Sequence, residues 1–441
     1  MAKYEIKDGV GIIPEGTTEI VESAFENCTE LTSVVIPDSV TEIQWKAFAG
    51  CKHLASVIIP DSVTTIAGYA FQFCYELTSI VIPSSVTEIE DGAFHCCTGL
   101  TNIGFHDGVK IIGGFCGCEG LTSINIPSSV TSITEGAFQN CTSLTSIVIP
   151  DSVTKIGRCA FANCKGLTNI VIPDSVTEIG PDAFSGCIGL TNFVIPNSVT
   201  KIGEGAFSGC TGLTEIIIPK SVLMMERNII KGCTNLTSIV VEEGNPNYDS
   251  RENCNAIIET RSCALVAGCA TTVIPDGVTI IERLAFSHCT NLANIAIPDG
   301  VTKIGRMAFA GCEHLTSVAI PNSVTIIEDY AFSECTSLSS ITIPDSVTEI
   351  GSYIFHVCKS LISASVLSPV TTLDLTFDAC TALESVTLGI GIKKFKDTFY
   401  GCTALKSINV PAKKGDYYRS RLPEDLRDLV MELPAAKKGK K

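Results

Sequence analysis

Apolar residues along this chain return at a fixed interval rather than gathering into runs. Phe25, Phe48, Phe71, Phe94, Phe115, Phe138, Phe161, Phe184 and Phe207 recur every 23 residues, with one shortened step of 21 between Phe94 and Phe115. After a break the series resumes at Phe286, Phe309, Phe332, Phe355, Phe377 and Phe399. Three residues after each Phe stands a Cys, and three after that a Leu, as in Phe138, Cys141 and Leu144. A period in the twenties carrying Leu-x-x-Ile-x-Ile is the signature of a leucine-rich repeat, in which one unit cannot bury its own apolar face and must stack on its neighbours.

Each unit divides by its local chemistry. Leu144-Thr145-Ser146-Ile147-Val148-Ile149 is short and β-branched and predicts a strand; Pro150-Asp151-Ser152 removes a donor and supplies a turn. Val153 and Ile156 point back inward, and the Gly157-x-x-Ala160-Phe161 step predicts a short helical or irregular turn on the outer side. The expected fold is therefore a repeat solenoid: a parallel β-sheet on the concave face, short helical or irregular turns on the convex face and a capping helix at the C-terminal end. The Leu31 to Leu405 series counts 16 rungs, which stack to roughly 75 Å at about 4.8 Å per strand.

The repeated text I-P-D-S-V-T-E-I-G (172–180) together with A-F-x-x-C-x-x-L, spread over about nine tenths of the chain, resembles the BspA-like class of leucine-rich repeats. That resemblance implies a bacterial or protist surface protein that binds host or matrix proteins, at the cell surface or secreted. The start, Met1-Ala2-Lys3-Tyr4-Glu5-Ile6-Lys7, lacks the apolar core of a signal peptide, and no run reaches the ~20 apolar residues of a membrane span. Taken without the resemblance, the sequence reads as a soluble cytoplasmic chain.

The pattern also marks divisions: a cap and partial repeat over 1–24, a first block of repeats over 25–240, an insertion over 241–272, a second block over 273–411, and a capping helix with a basic tail over 412–441. Between Pro219 and Pro275 the spacing is 56 instead of 46, and Ile230 replaces Phe while Cys233 and Leu236 hold register. Asn255–Glu259 and Cys263–Ala267 predict a β-hairpin there. Leu426, Leu429, Val430 and Leu433, after Pro423-Glu424-Asp425, predict an amphipathic helix closing the core. Tyr4 and Ile6 are placed to cover the first rung.

Composition narrows function by exclusion. With 31 basic against 47 acidic residues, and a charge of −16, nucleic acid is not an expected partner. Only Lys437–Lys441 reverses the sign, and a short basic tail reads as a solvated end. Of the 22 cysteines, 16 occupy the single repeat position running from Cys28 to Cys402 and read as buried free thiols. Side chains one rung apart sit ~4.8 Å from each other, wider than a disulfide's ~3.8 Å between Cβ atoms. Cys254, Cys263 and Cys269 in the insertion are left open between pairing and remaining free.

No metal and no cofactor is expected. The close pairs Cys96-Cys97 and Cys116-x-Cys118 each spend one member on the ladder, and Glu242, Glu243, Asp249, Glu252 and Asn253 fit no calcium loop. His53 and His314 lie many rungs apart, and Asp-Ser after Pro37, Pro60, Pro150, Pro173 and Pro344 recurs as turn chemistry, whereas a catalytic constellation occurs once. No enzyme is expected. Acceptor motifs for glycosylation at Asn27, Asn140 and Asn235 matter only under eukaryotic secretion.

Two functional classes remain: a protein-binding or adhesive module using the strand face, and a passive structural spacer with no dedicated ligand. Exposed strand composition discriminates them, because a spacer is polar there throughout. Period-two alternation sends Val148 outward between the inward Ile147 and Ile149, and places Val171, Val194, Ile217 and Val240 in the same column, with Asn169 and Asn192 beside it. The column also includes Val35, Ile58 and Val81, interrupted by Gly104 and Asn125. These aliphatic residues are the candidate binding site. Against this stands the intrinsic preference of strands for β-branched residues.

Overall fold

The computed structural model describes residues 3–434, so the basic tail at 437–441 lies outside the described residues. The chain forms two compact units, 1–233 and 234–441.

In the first unit every repeat but the one at 191–196 contributes two strands. The longer ones, such as Ser123–Asn125, Ser146–Val148 and Asn169–Val171, pair parallel and in register, so that Ile147 faces Ile170 and Val148 faces Val171. The second set consists of two-residue strands, from Glu19–Ile20 through Lys155–Ile156 to Met224–Met225, stacked into a ten-stranded parallel sheet. Between the two lies the Pro-Asp-Ser turn, closed by the Val153 amide donating to the Pro150 carbonyl at 3.0 Å. The repeat pattern predicts one strand per unit with Ile156 as an inward return, whereas Lys155–Ile156 is itself a second strand.

The core is a set of ladders. The phenylalanine rings stack face to face, with centroids 5.3 Å apart for Phe25–Phe48, 5.0 Å for Phe48–Phe71 and 5.4 Å for Phe161–Phe184. Polar positions that every repeat carries bond to the backbone of the rung before. Ser175 Oγ donates to the Val153 carbonyl at 2.6 Å and Thr64 Oγ1 to that of Thr41 at 3.2 Å. Cys187 Sγ donates to the Phe161 carbonyl at 3.1 Å. These side chains tie each rung to the one before; the Thr41 and Phe161 carbonyls also accept the Thr64 and Cys164 amides, so there the side chain adds a second bond to the same oxygen. In the outer turn the residue before each ladder Cys takes a left-handed conformation, Asn140 at φ 60° and Gly50 at φ +74°. Gly50 has a second reason: a Cβ there would sit 2.3 Å from Asn27 Oδ1.

The N-terminal edge is closed by Glu5–Lys7, antiparallel to Val10–Ile12, with the Tyr4 ring 5.5 Å from Phe25. One rung departs from the pattern: at 191–196 no ladder is formed, and Phe193 stands where the other repeats carry a smaller aliphatic residue, its ring 5.0 Å from Phe184 and 4.7 Å from Phe207.

In the second unit Ala256–Glu259 and Ala264–Gly268 pair antiparallel, with Tyr248–Asp249 as a third strand. Ala264–Gly268 also pairs parallel with Ile280–Ile281, so the hairpin opens the seven-stranded sheet that continues to Glu349–Ile350. Cys254, Cys263 and Cys269 are unpaired thiols. At the C-terminal end the pattern at 423–433 does not make the expected amphipathic helix. Glu424–Leu429 is a 3-10 turn and Val430–Glu432 a strand, parallel to Ser407–Val410. The α-helix of the cap is earlier and shorter, Gly415–Arg419, with Tyr418 buried. Pairing wins because it satisfies the open edge of the last strand and still buries Val430.

Candidate strand-face interaction site

The site is built from the outward residues of the longer strands. Ile147 and Ile170 point into the core, and the flanking positions face outward. In the first unit Val148 is 65% exposed, Val171 70%, Val194 77% and Ile217 43%. Val148 and Val171 are neighbours across the ladder. Val194 lies at the rung that makes no ladder, so its exposure does not rest on strand pairing. Val240 is 40% exposed and belongs to the second unit. Asn169 and Asn192 are exposed beside the column, as are Thr168 and Thr191. Nearer the N-terminus Val35, Ile58 and Val81 form a further exposed block, Val35 and Ile58 being direct cross-strand neighbours.

Beyond Val240, the second unit builds the corresponding strands with Ala296, Ala319, Thr342, Ser365, Thr387 and Asn409. Strand formation thus does not require an aliphatic residue at this position, and propensity alone does not account for the valines of the first unit. Over eight successive rungs, from Thr32-Ser33-Val35 to Thr191-Asn192-Val194, the outward strand positions carry no charged residue, in a chain of net charge −16. Depletion of charge around an apolar centre is the compositional mark of interface cores.

The groups that invite a chemical reading are otherwise engaged. Asp249 of the insertion pairs with Arg251 at 2.6 Å and accepts from Thr260. His53 contacts Glu76 at 2.8 Å, and His314 the Thr290 carbonyl at 2.7 Å. Burial pushes the ladder thiols up, Cys51 and Cys187 to about 12, so they are neutral donors rather than nucleophiles. Among the described residues no group of three or more His, Cys, Asp or Glu could hold a metal ion, and no helix is long and apolar enough to cross a membrane.

Parallel ladders, a period of 23 and the inward Leu, Ile, Phe and Cys define a leucine-rich-repeat protein. The model of the BspA type leucine rich repeat region matches residues 12–116, 113–237, 257–376 and 308–417, and the chain belongs to that family. It is similar to a leucine rich cell surface protein of Faecalibacterium prausnitzii, at 30% identity over 78% of this chain and 81% of that one, with a TM-score of 0.55. A leucine-rich repeat protein of Eubacterium ventriosum is 25% identical over 66% of this chain and 73% of the other, with a TM-score of 0.52. The pneumococcal vaccine antigen PcpA shares the fold, at 19% identity over 98% and 94% of the two chains, with a TM-score of 0.56. Among curated proteins none matches the sequence.

Proposed function

We propose that this protein is a non-enzymatic binding module that holds a protein ligand against its strand face, with Val148, Val171, Val194 and Ile217 as the apolar centre and Asn169 and Asn192 as hydrogen-bonding edges. Val240, in the second unit, is an exposed aliphatic residue at the same repeat position. The observation that carries the reading is the contrast along the chain: the outward strand position is aliphatic at every rung from Val35 to Val240 except Gly104 and Asn125, and small or polar at the rungs from Ala296 to Asn409. An exposed apolar column costs solubility and adds nothing to the core, so it is retained for contact. The name of the Faecalibacterium relative supports a cell-surface setting, in which the ligand is a host or matrix protein and the role adhesive. The polar face of the second unit fits the other reading, a spacer with no ligand of its own.

The test uses the intact protein, immobilised and offered purified extracellular-matrix and host-cell-surface proteins. Val171→Lys with Val194→Lys abolishes binding of any partner captured by the parent, while Tm stays within a few degrees because both side chains are mostly exposed. Retained affinity in the double variant removes the stripe as the site. Failure of the parent to bind any member of the panel favours the spacer.

A further inference from the structure

In the first unit every cysteine except Cys96, Cys116 and Cys159 is buried on the ladder, and those three are half-buried. Ladder sulfurs are held inward: Cys97 Sγ donates to the Phe71 carbonyl at 3.0 Å and Cys118 Sγ to that of Phe94 at 3.3 Å. Cys96 and Cys116 occupy the two places between a Phe and its ladder cysteine, which other rungs fill with residues such as Gln139 and Asn140. No other rung of either unit has a cysteine at either place. The two stand on neighbouring rungs, on opposite sides of the shortened step from Phe94 to Phe115. Packing of the core does not call for them, because Cys97 and Cys118 already supply the ladder there.

Their main chains touch. The Cys96 amide donates to the Cys116 carbonyl at 2.7 Å. With standard bond lengths that contact keeps the two Cα atoms within about 6.6 Å, inside the ~4.4–6.8 Å over which a disulfide closes. The Cys96 sulfur already lies towards the neighbouring rung, against Gly117, where a Cβ would come 2.8 Å from it. The Cys116 sulfur has one long contact to give up, 3.8 Å to Gln139 Oε1. Cys159 is placed differently, two rungs from Cys116, with its amide bonded to the Pro181 carbonyl at 2.9 Å. A base stands beside the pair: His95 Nε2 is 3.4 Å from Cys96 Sγ. Burial raises both thiols, Cys116 to about 11, and lowers His95 below the ordinary imidazole range. At neutral pH the sulfurs therefore carry their protons and the imidazole is neutral, able to accept one.

We propose that Cys96 and Cys116 form a redox-active dithiol, which a low-molecular-weight disulfide of the oxidised glutathione kind closes into a bridge between the two rungs. His95 Nε2, in the tautomer protonated at Nδ1, takes the Cys96 proton as the sulfur attacks one sulfur of the small disulfide. A mixed disulfide forms on Cys96, and the first small thiolate leaves with the proton from His95. Cys116 then attacks Cys96 Sγ and its proton passes to the second small thiolate, which leaves as a thiol. Two protein thiols are oxidised to one disulfide, and one small disulfide is reduced to two thiols. The bridge closes residues 96–116 into a loop, which restricts the unfolded chain and stabilises the first unit at its shortened step. This site lies on the outer turns and does not depend on the strand-face reading.

The experiment incubates the intact protein, reduced and then freed of reductant, with oxidised glutathione, alkylates it in denaturant and maps the cysteines by mass spectrometry. The expected product is a Cys96–Cys116 disulfide, with two fewer of the 22 thiols open to alkylation and the ladder thiols unchanged. Tm rises by several degrees on closure and returns on reduction. Cys116→Ser stops the reaction at a glutathione adduct on Cys96, Cys96→Ser abolishes the bridge, and Cys159→Ser leaves it in place. His95→Gln slows adduct formation on Cys96 roughly tenfold at neutral pH and much less in alkali, where the thiol ionises unaided. Adducts that persist on Cys96 or Cys116 without a bridge overturn the dithiol, as does a bridge from Cys116 to Cys159 or the absence of any reaction. Equal yield of the bridge from protein held in urea also overturns it, since the pairing would then owe nothing to the fold. An unchanged rate in His95→Gln removes His95 as the base.

Discussion

Replacing Phe161 by Ala removes a ring that is fully buried and sandwiched between two others. Phe138 lies 5.6 Å away at 11° and Phe184 5.4 Å away at 7°, and both remain in place with one stacking partner gone. Loss of transfer energy together with the cavity costs ~3–5 kcal/mol, with the stacked pairs contributing on the order of 0.5–1.5 kcal/mol each inside that figure. Neighbouring ladders limit how far the site can collapse, because Leu167 and Ile170 are fixed by their own rungs, so the upper half of the range is expected. Phe399, which stacks on Phe377 at 5.9 Å and is slightly exposed, should lose about 1 kcal/mol less on the same substitution. Urea denaturation followed by circular dichroism reads both, with hydrogen exchange of the rungs around residue 161 separating local opening from global unfolding. A loss under ~1 kcal/mol for Phe161→Ala would refute the assignment of this position to a packed core.

Two predictions concern the thiol ladder. Titration in denaturant without reductant should find at least the 16 ladder cysteines free, and a count of six or fewer would replace buried thiols by disulfides. Stability should also fall in alkali: burial raises Cys51, Cys187 and Cys233 to about 12, whereas unfolded thiols ionise near ~8.5. The unfolded state then loses protons first, so the contribution is complete below about pH 8.5 and declines by about 1.4 kcal/mol per thiol per pH unit towards pH 12. Urea midpoints at a series of alkaline pH values check this, and Cys51→Ala, Cys187→Ala and Cys233→Ala together should flatten the slope; an unchanged slope removes the thiols as its cause.

The recurrence of Phe, Cys and Leu every 23 residues was enough to determine the repeat class and the buried face, because a strict period admits one way of stacking. Alternation around Ile147 likewise put Val148 and Val171 outside, where they lie. Other features depended on partners remote in sequence. A two-residue strand such as Lys155–Ile156 carries no period of its own and exists only because Ser132–Ile133 and Glu178–Ile179 lie on either side of it. The same holds at the cap, where spacing at 426–433 suits a helix equally well, and the free edge of Ser407–Val410 decided for a strand at Val430–Glu432. The thiols read as apolar filler, yet Cys187 and others like it reach the carbonyl of the Phe one rung back, 26 residues away for Cys187 and Phe161. The sequence by itself determined which side chains are inside, since burial follows from local pattern. Only the tertiary structure decided what the short segments pair with, since hydrogen bonds between rungs join residues that local pattern never brings together.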